Sequence, residues 1–222
     1  WGVAARERGD RAAAIGLFRS GLDLTVSLLR DRPNDMALRH NLAVAHRNLG
    51  DVALAAGDVA AADADFSKAS EIAAGLAREF PENSLLQRDF TLSQERLGET
   101  LTRKGDLSGA LKAFVAGQET ALRLSASDPA DLDWRYDVAI GHREIGDARQ
   151  ALGDLPGAAD AFAAALAVDL DLVARDPGND PLRRHLDDVR QRLSVVREKV
   201  GDGAGALALA REALAFATAT RA

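Results

Sequence analysis

Between residues 36 and 56, apolar residues fall at Leu38, Leu42, Ala45, Leu49, Val52 and Ala56, stepping by 4, 3, 4, 3 and 4. That spacing predicts a helix with one apolar stripe, which we call helix A. A second helix, B, is predicted over 59–79, with Ala62, Phe66, Ala69, Ile72 or Ala73, and Leu76 on its inner face. The stripe of helix A returns as Trp134, Val138, Gly141, Ile145, Ala148 and Leu152, and again as Leu182, Leu186, Val189, Leu193, Val196 and Val200. No segment alternates as a strand does. The expected class is all-α, and the short connections make neighbouring helices antiparallel.

The pattern is periodic. Gly-Asp pairs stand at Gly9-Asp10, Gly57-Asp58, Gly105-Asp106, Gly153-Asp154 and Gly201-Asp202, 48 residues apart. Pro33, Pro81, Pro129 and Pro177 keep the same step, as do Ala14, Ala62, Ala110, Ala158 and Ala206, and Leu28, Leu76, Leu124 and Leu172. Phe18, Phe66, Phe114 and Phe162 do so until Ala210 takes the last place, and Gly50, Gly98 and Gly146 until Ser194 does. A fixed period of this length marks a repeat array. The frames are a partial repeat 1–33, repeats 34–81, 82–129 and 130–177, and a last repeat 178–222, about four and a half in all within a single domain.

Each Gly-Asp pair is expected to join A to B. Glycine closes one helix in the left-handed conformation, and the aspartate caps the next. Asp35, Ser84, Asp131 and Asp180 are placed to cap the A helices. Gly50, Gly98 and Gly146 lie inside A helices, where each costs roughly 1 kcal/mol against alanine. We expect close approach of helix B there, with Gly50 facing Ala62 or Ala69 and Phe66 filling the space beside them.

These columns resemble the tetratricopeptide repeat, in which a helix-A glycine is followed 12 residues later by alanine, 16 later by an aromatic and 19 later by alanine. Gly50, Ala62, Phe66 and Ala69 match, as do Gly146, Ala158, Phe162 and Ala165; Gly98, Ala110 and Phe114 are followed by Gly117. The aromatic usual three residues after the glycine is replaced by Ala53, Leu101 and Arg149. The repeat is longer than the usual 34 residues, which fits about two extra turns per helix and a long bacterial variety. The resemblance implies an α-solenoid of helical hairpins, a right-handed superhelix acting as a protein–protein interaction scaffold. No pattern of residues points to an enzyme or a cofactor, and neither is expected.

The resemblance also places a peptide groove on the face of helix A opposite its stripe. The candidate residues are His40, Val44, Arg47, Asp51 and Leu54; Arg88, Leu92, Glu95, Glu99 and Thr102; Tyr136, Ile140, Arg143, Asp147 and Gln150; and Arg184, Asp188, Gln191, Val195 and Glu198. Mixed aliphatic and charged groups suit a peptide or a partner helix. Arg47, Glu95 and Arg143 alternate in sign and could instead pair with one another. Arg39, Arg135 and Arg183 oppose the dipole at the start of helix A, and either carboxylates such as Asp89, Asp137 or Asp128 or an anionic ligand are expected to compensate them.

Composition narrows the partners. A net charge of −6, spread along the chain, argues against general nucleic-acid binding. There is no cysteine for disulfide or thiol chemistry. No signal peptide is visible, and no apolar run was expected to reach the roughly 20 residues of a membrane span. The four histidines, His40, His46, His142 and His185, show no metal-ligand spacing. "GDGAG" at 201–205 precedes a helix but lacks the strand and lysine of a phosphate loop.

With 24 Arg against 4 Lys, the alanine-rich composition suggests a bacterial source, and a cytoplasmic location is expected. Trp1-Gly2 aligns with Leu49-Gly50, so we expect a fragment of a larger multidomain protein, with this region as its sensor or adaptor. The alternative is a spacer or self-association module acting through its ends.

Overall fold

The computed structural model describes residues 11–219, leaving aside the side chains of Arg11 and 214–219. Among these residues are nine helices and no strand: α1 (Arg11–Asp31), α2 (Met36–Ala55), α3 (Val59–Glu79), α4 (Ser84–Lys104), α5 (Leu107–Ser127), α6 (Leu132–Ala151), α7 (Leu155–Arg175), α8 (Asp180–Lys199) and α9 (Gly203–Ala219). The A helices are α2, α4, α6 and α8. The chain divides into two compact units, 1–117 and 118–222, with the boundary inside α5.

The turns follow from the Gly-Asp pairs. Gly57, Gly105, Gly153 and Gly201 have φ of 79, 86, 84 and 87°, a region open to glycine at little cost. Each following aspartate works twice. The Asp58 N–H donates back to the Ala53 carbonyl at 2.9 Å and closes α2. Its carboxylate accepts the Ala61 N–H at 3.0 Å and opens α3. Asp106, Asp154 and Asp202 accept in the same way from Gly109, Gly157 and Gly205. Gly9-Asp10 lies outside the described residues.

The A-helix caps hold the 48-residue register more strictly than expected. They are Asp35, Asn83, Asp131 and Asn179. Ser84 and Asp180 are instead the first helical residues. The cap's oxygen must reach the N–H three residues on, and Asn83 and Asn179 stand where it can, accepting from Leu86 and Leu182 at 3.2 Å.

The glycine columns mark close approach, but to the phenylalanines rather than to alanine. A Cβ on Gly50 would lie 2.8 Å from the Phe66 ring, one on Gly98 2.4 Å from Phe114, and one on Gly146 2.5 Å from Phe162. Where Ser194 replaces the glycine, Ala210 replaces the ring, and the serine hydroxyl donates to the Ala206 carbonyl at 3.3 Å.

The apolar stripes form the core. In α8, Leu182, Leu186, Val189, Leu193 and Val196 are all buried, and Val200 emerges at the end. In α6, Trp134, Val138, Ile145 and Ala148 are buried and Leu152 is exposed. In α2, Leu38 and Val52 are buried while Leu42, Ala45 and Leu49 are only half-buried and Ala56 is exposed. This helix also buries Ala43, His46, Gly50 and Leu54. It packs against α1, α3 and α4, so its contacts extend well beyond one stripe.

One helix does meet the length and composition of a membrane span, contrary to expectation: Ala12–Asp31, within α1, with mean hydropathy 1.4. Its register with α3, α5 and α7, and the packing of Ala14 and Phe18 on Val52, give it the role of a B helix.

Candidate partner-binding face

Unit 1 presents the expected face on α2 and α4. His40, Val44, Arg47 and Asp51 are half-buried, as are Arg88, Leu92, Glu95 and Glu99, while Thr102 is exposed. Leu54 is more buried than these, though it lines a dent beside Asp51 and Glu99. It is buried in a cluster with Ala62 and Phe66, against Ala53 and Leu97, so it serves the core. In unit 2, Tyr136, Ile140, Arg143, Asp147 and Gln150 on α6 and Asp188 on α8 are half-buried, and Arg184, Gln191, Val195 and Glu198 are exposed.

Several charges on this face are engaged by the next A helix. Arg47 donates to Asp89 at 2.9 Å, and the other oxygen of Asp89 meets His40. The register equivalent in unit 2 is Arg143 donating through Nε to His185 Nε2 at 3.1 Å. A second link repeats further along, four positions beyond each arginine and seven beyond its partner. Arg96 lies 3.6 Å from Asp51, and Arg192 pairs with Asp147. Two links therefore tie α2 to α4, and two links at the same register positions tie α6 to α8.

The electrostatics follow from partial burial. Burial opposes the charge on Arg96, but Glu95, Asp51 and Glu99 outweigh it and hold its pKa above the ordinary value. Burial likewise works against Arg192, while Asp188 and Asp147 together raise it. Asp147 is pushed above the usual carboxylate range by burial, despite Arg192 and Arg143. An open dent of about 550 Å³ lies beside the second link in unit 1, lined by Asp51, Leu54, Ala55, Arg96, Glu99 and Arg103.

The dipole-opposing arginines are compensated from elsewhere than expected. Arg39 pairs with Glu79 at the end of α3, Arg135 with Asp171 of α7 at 2.8 Å, and Arg183 with Asp180 in its own first turn. For Arg39 and Arg135 the partner comes from the end of the B helix of the same hairpin, and for Arg183 from its own helix.

The histidines differ in role. His46, buried, meets Asp65 at 2.8 Å. His142 holds the same register, but Ala161 replaces the aspartate, and burial lowers its pKa. Among the described residues no group of three or more His, Cys, Asp or Glu is placed to hold a metal ion. At "GDGAG", Asp202 fills the helix start where an anion would sit.

Sequence reasoning left His185, Arg96 and Arg192 out of the face and gave Asp89 another partner. The signal was present as an offset: residues 42 and 45 apart on successive A helices. It also missed an apolar dent of about 390 Å³ in unit 2, lined by Leu122, Ser125, Ala126, Pro129, Arg135, Val138 and Val168.

No protein-family model and no curated protein sequence matches the chain. Solved structures do. The apo form of RapI superposes with a TM-score of 0.70 at 16% identity, covering 99% of this chain and 69% of that one. Tetratricopeptide-like repeats of a putative kinesin light chain from Podospora anserina give 0.66 at 17% identity, covering 100% and 93%. MamA gives 0.59 at 15% identity, covering 99% and 96%. Period, glycine–phenylalanine contacts and these likenesses agree that the chain has the tetratricopeptide-like helical-repeat fold, built here on a 48-residue unit.

Proposed function

We propose that the chain is a protein-interaction scaffold that binds a peptide or partner helix on the A-helix face, as the sensor or adaptor part of a larger bacterial cytoplasmic protein. The tetratricopeptide-like neighbours support the scaffold role. One observation carries the choice of face: half-buried Val44, Leu92 and Ile140 are flanked by charges already held in place by the neighbouring helix. Preorganised charge beside accessible aliphatic surface lowers the ordering cost of binding.

Arg47 and Arg143 are poor first targets for mutation, because reversing them breaks links within the fold. Leu92→Asp tests the face of unit 1 directly. Peptides selected from a displayed random library on the parent chain should bind this variant at least tenfold more weakly, with an unchanged thermal midpoint. Undiminished binding places the site elsewhere.

A second reading, self-association through an end, is favoured by α1. Leu17, Leu24, Val26 and Leu28 are exposed there, whereas Leu76, Leu124 and Leu172, in register with Leu28, are buried. Sedimentation should then show a concentration-dependent dimer that Leu24→Glu abolishes. A parent chain that stays monomeric at high concentration removes this reading.

A further inference from the structure

The link between α6 and α8 differs chemically from its counterpart in unit 1. Arg47 reaches a carboxylate, Asp89, directly. In unit 2 the register position of Asp89 is His185, and a carboxylate has been added behind it on helix B: Asp169, 1% exposed, stands where Ala73 stands in unit 1. An imidazole has in effect been inserted between arginine and carboxylate.

The geometry fixes the proton. The Arg143 Nε–H can only donate, so His185 Nε2, 3.1 Å away, must accept. The ring is then neutral with its hydrogen on Nδ1, which lies 2.9 Å from both oxygens of Asp169. Tyr136 fixes the ring edge-on at 5.4 Å.

We propose that His185 is a proton-operated latch between α6 and α8: neutral, it holds Arg143, and protonated, it releases Arg143 onto the A-helix face. A second proton has one place to go, Nε2. Donor then faces donor and two cations touch, while the imidazolium keeps its bond to Asp169. Released Arg143 has carboxylates at hand, Glu144 at 3.8 Å and Asp147 at 4.0 Å. The groups that bear on the ring are Asp169 from α7 and Arg143 and Tyr136 from α6, with Glu144 and Asp147 behind Arg143. On its own helix, Asp188 is held by Arg192 at 2.8 Å, and α9 carries no ionisable residue from Ala213 to Ala219. The latch operates whether or not the face binds a peptide.

Nitrogen-detected magnetic resonance on the full chain, from pH 8 to pH 5, tests it. The Arg143 Nε–H should exchange with water at least tenfold faster below the pH at which the His185 ring titrates, with helicity by circular dichroism unchanged. His185→Asp with Asp169→Ala copies the Asp89/Ala73 arrangement and should keep the Arg143 Nε–H slow throughout. Should that variant fail to fold, Asp169→Asn keeps the shape but removes the charge favouring the imidazolium, and should move release to lower pH. The proposal is overturned if His185 titrates with Arg143 unaffected, if it does not titrate while the chain is folded, if the fold is lost first, or if Asp169→Asn leaves the midpoint in place.

Discussion

Gly146→Val is expected to destabilise the chain by about 3 kcal/mol, the upper part of the range for overpacked cores. A Cβ at this position would lie 2.5, 2.7 and 2.9 Å from three atoms of the Phe162 ring, closer than carbon atoms approach. The ring cannot retreat. It is fully buried among Ala158, Leu193, Val196 and Leu209. Removing the helix-interior glycine returns less than about 1 kcal/mol, because valine is itself a modest helix former. Denaturant unfolding of the full chain measures the loss.

The last repeat supplies the control. Phe162→Ala alone should cost about 3–5 kcal/mol through the cavity it leaves. Gly146→Ser with Phe162→Ala reproduces the pairing of Ser194 with Ala210, where the serine hydroxyl donates to the Ala206 carbonyl. The double variant should be at least about 1 kcal/mol more stable than the sum of its singles. Strict additivity would mean that the ring contact is not what keeps glycine in the column.

The same comparison of columns shows why the architecture was readable and the face less so. Gly57, Asp58 and their equivalents recur as one residue type in every copy, and Phe66 and its equivalents in all but the last, where Ser194 and Ala210 change together. Two cap assignments slipped by one residue because serine and aspartate were preferred over asparagine at a neighbouring position, although Asn83 and Asn179 alone keep register with Asp35 and Asp131. Leu54 is more buried than its neighbours on the face for another reason. An A helix in an array touches three neighbours, so the arc opposite its stripe is not free surface. The inter-helix links were hidden because they cross columns and change chemistry. Asp89 becomes His185, and Arg47 alternates with Glu95, so no single column advertises a pair. Only positions offset by 42 or 45 residues do.

Asp89 allows the energetic weight of such a link to be measured. Its carboxylate is 11% exposed and serves both Arg47 and His40, and Arg47 is itself only 20% exposed. Asp89→Ala removes the anion and leaves a largely buried guanidinium without its partner. A loss of about 3 kcal/mol is expected, the low end for breaking a buried pair because some solvent still reaches Arg47. Asp89→Asn keeps the shape and one accepting oxygen for Arg47, so its loss should be about half as large. Since these groups are mostly shielded, the difference between the two variants should change little between 0.05 and 0.5 M salt, unlike that of an exposed pair. Equal losses in both variants would assign the stabilisation to charge alone. An alanine variant as stable as the parent would show that desolvation cancels the attraction, and that the bond sets the orientation of α4 on α2 without strengthening it.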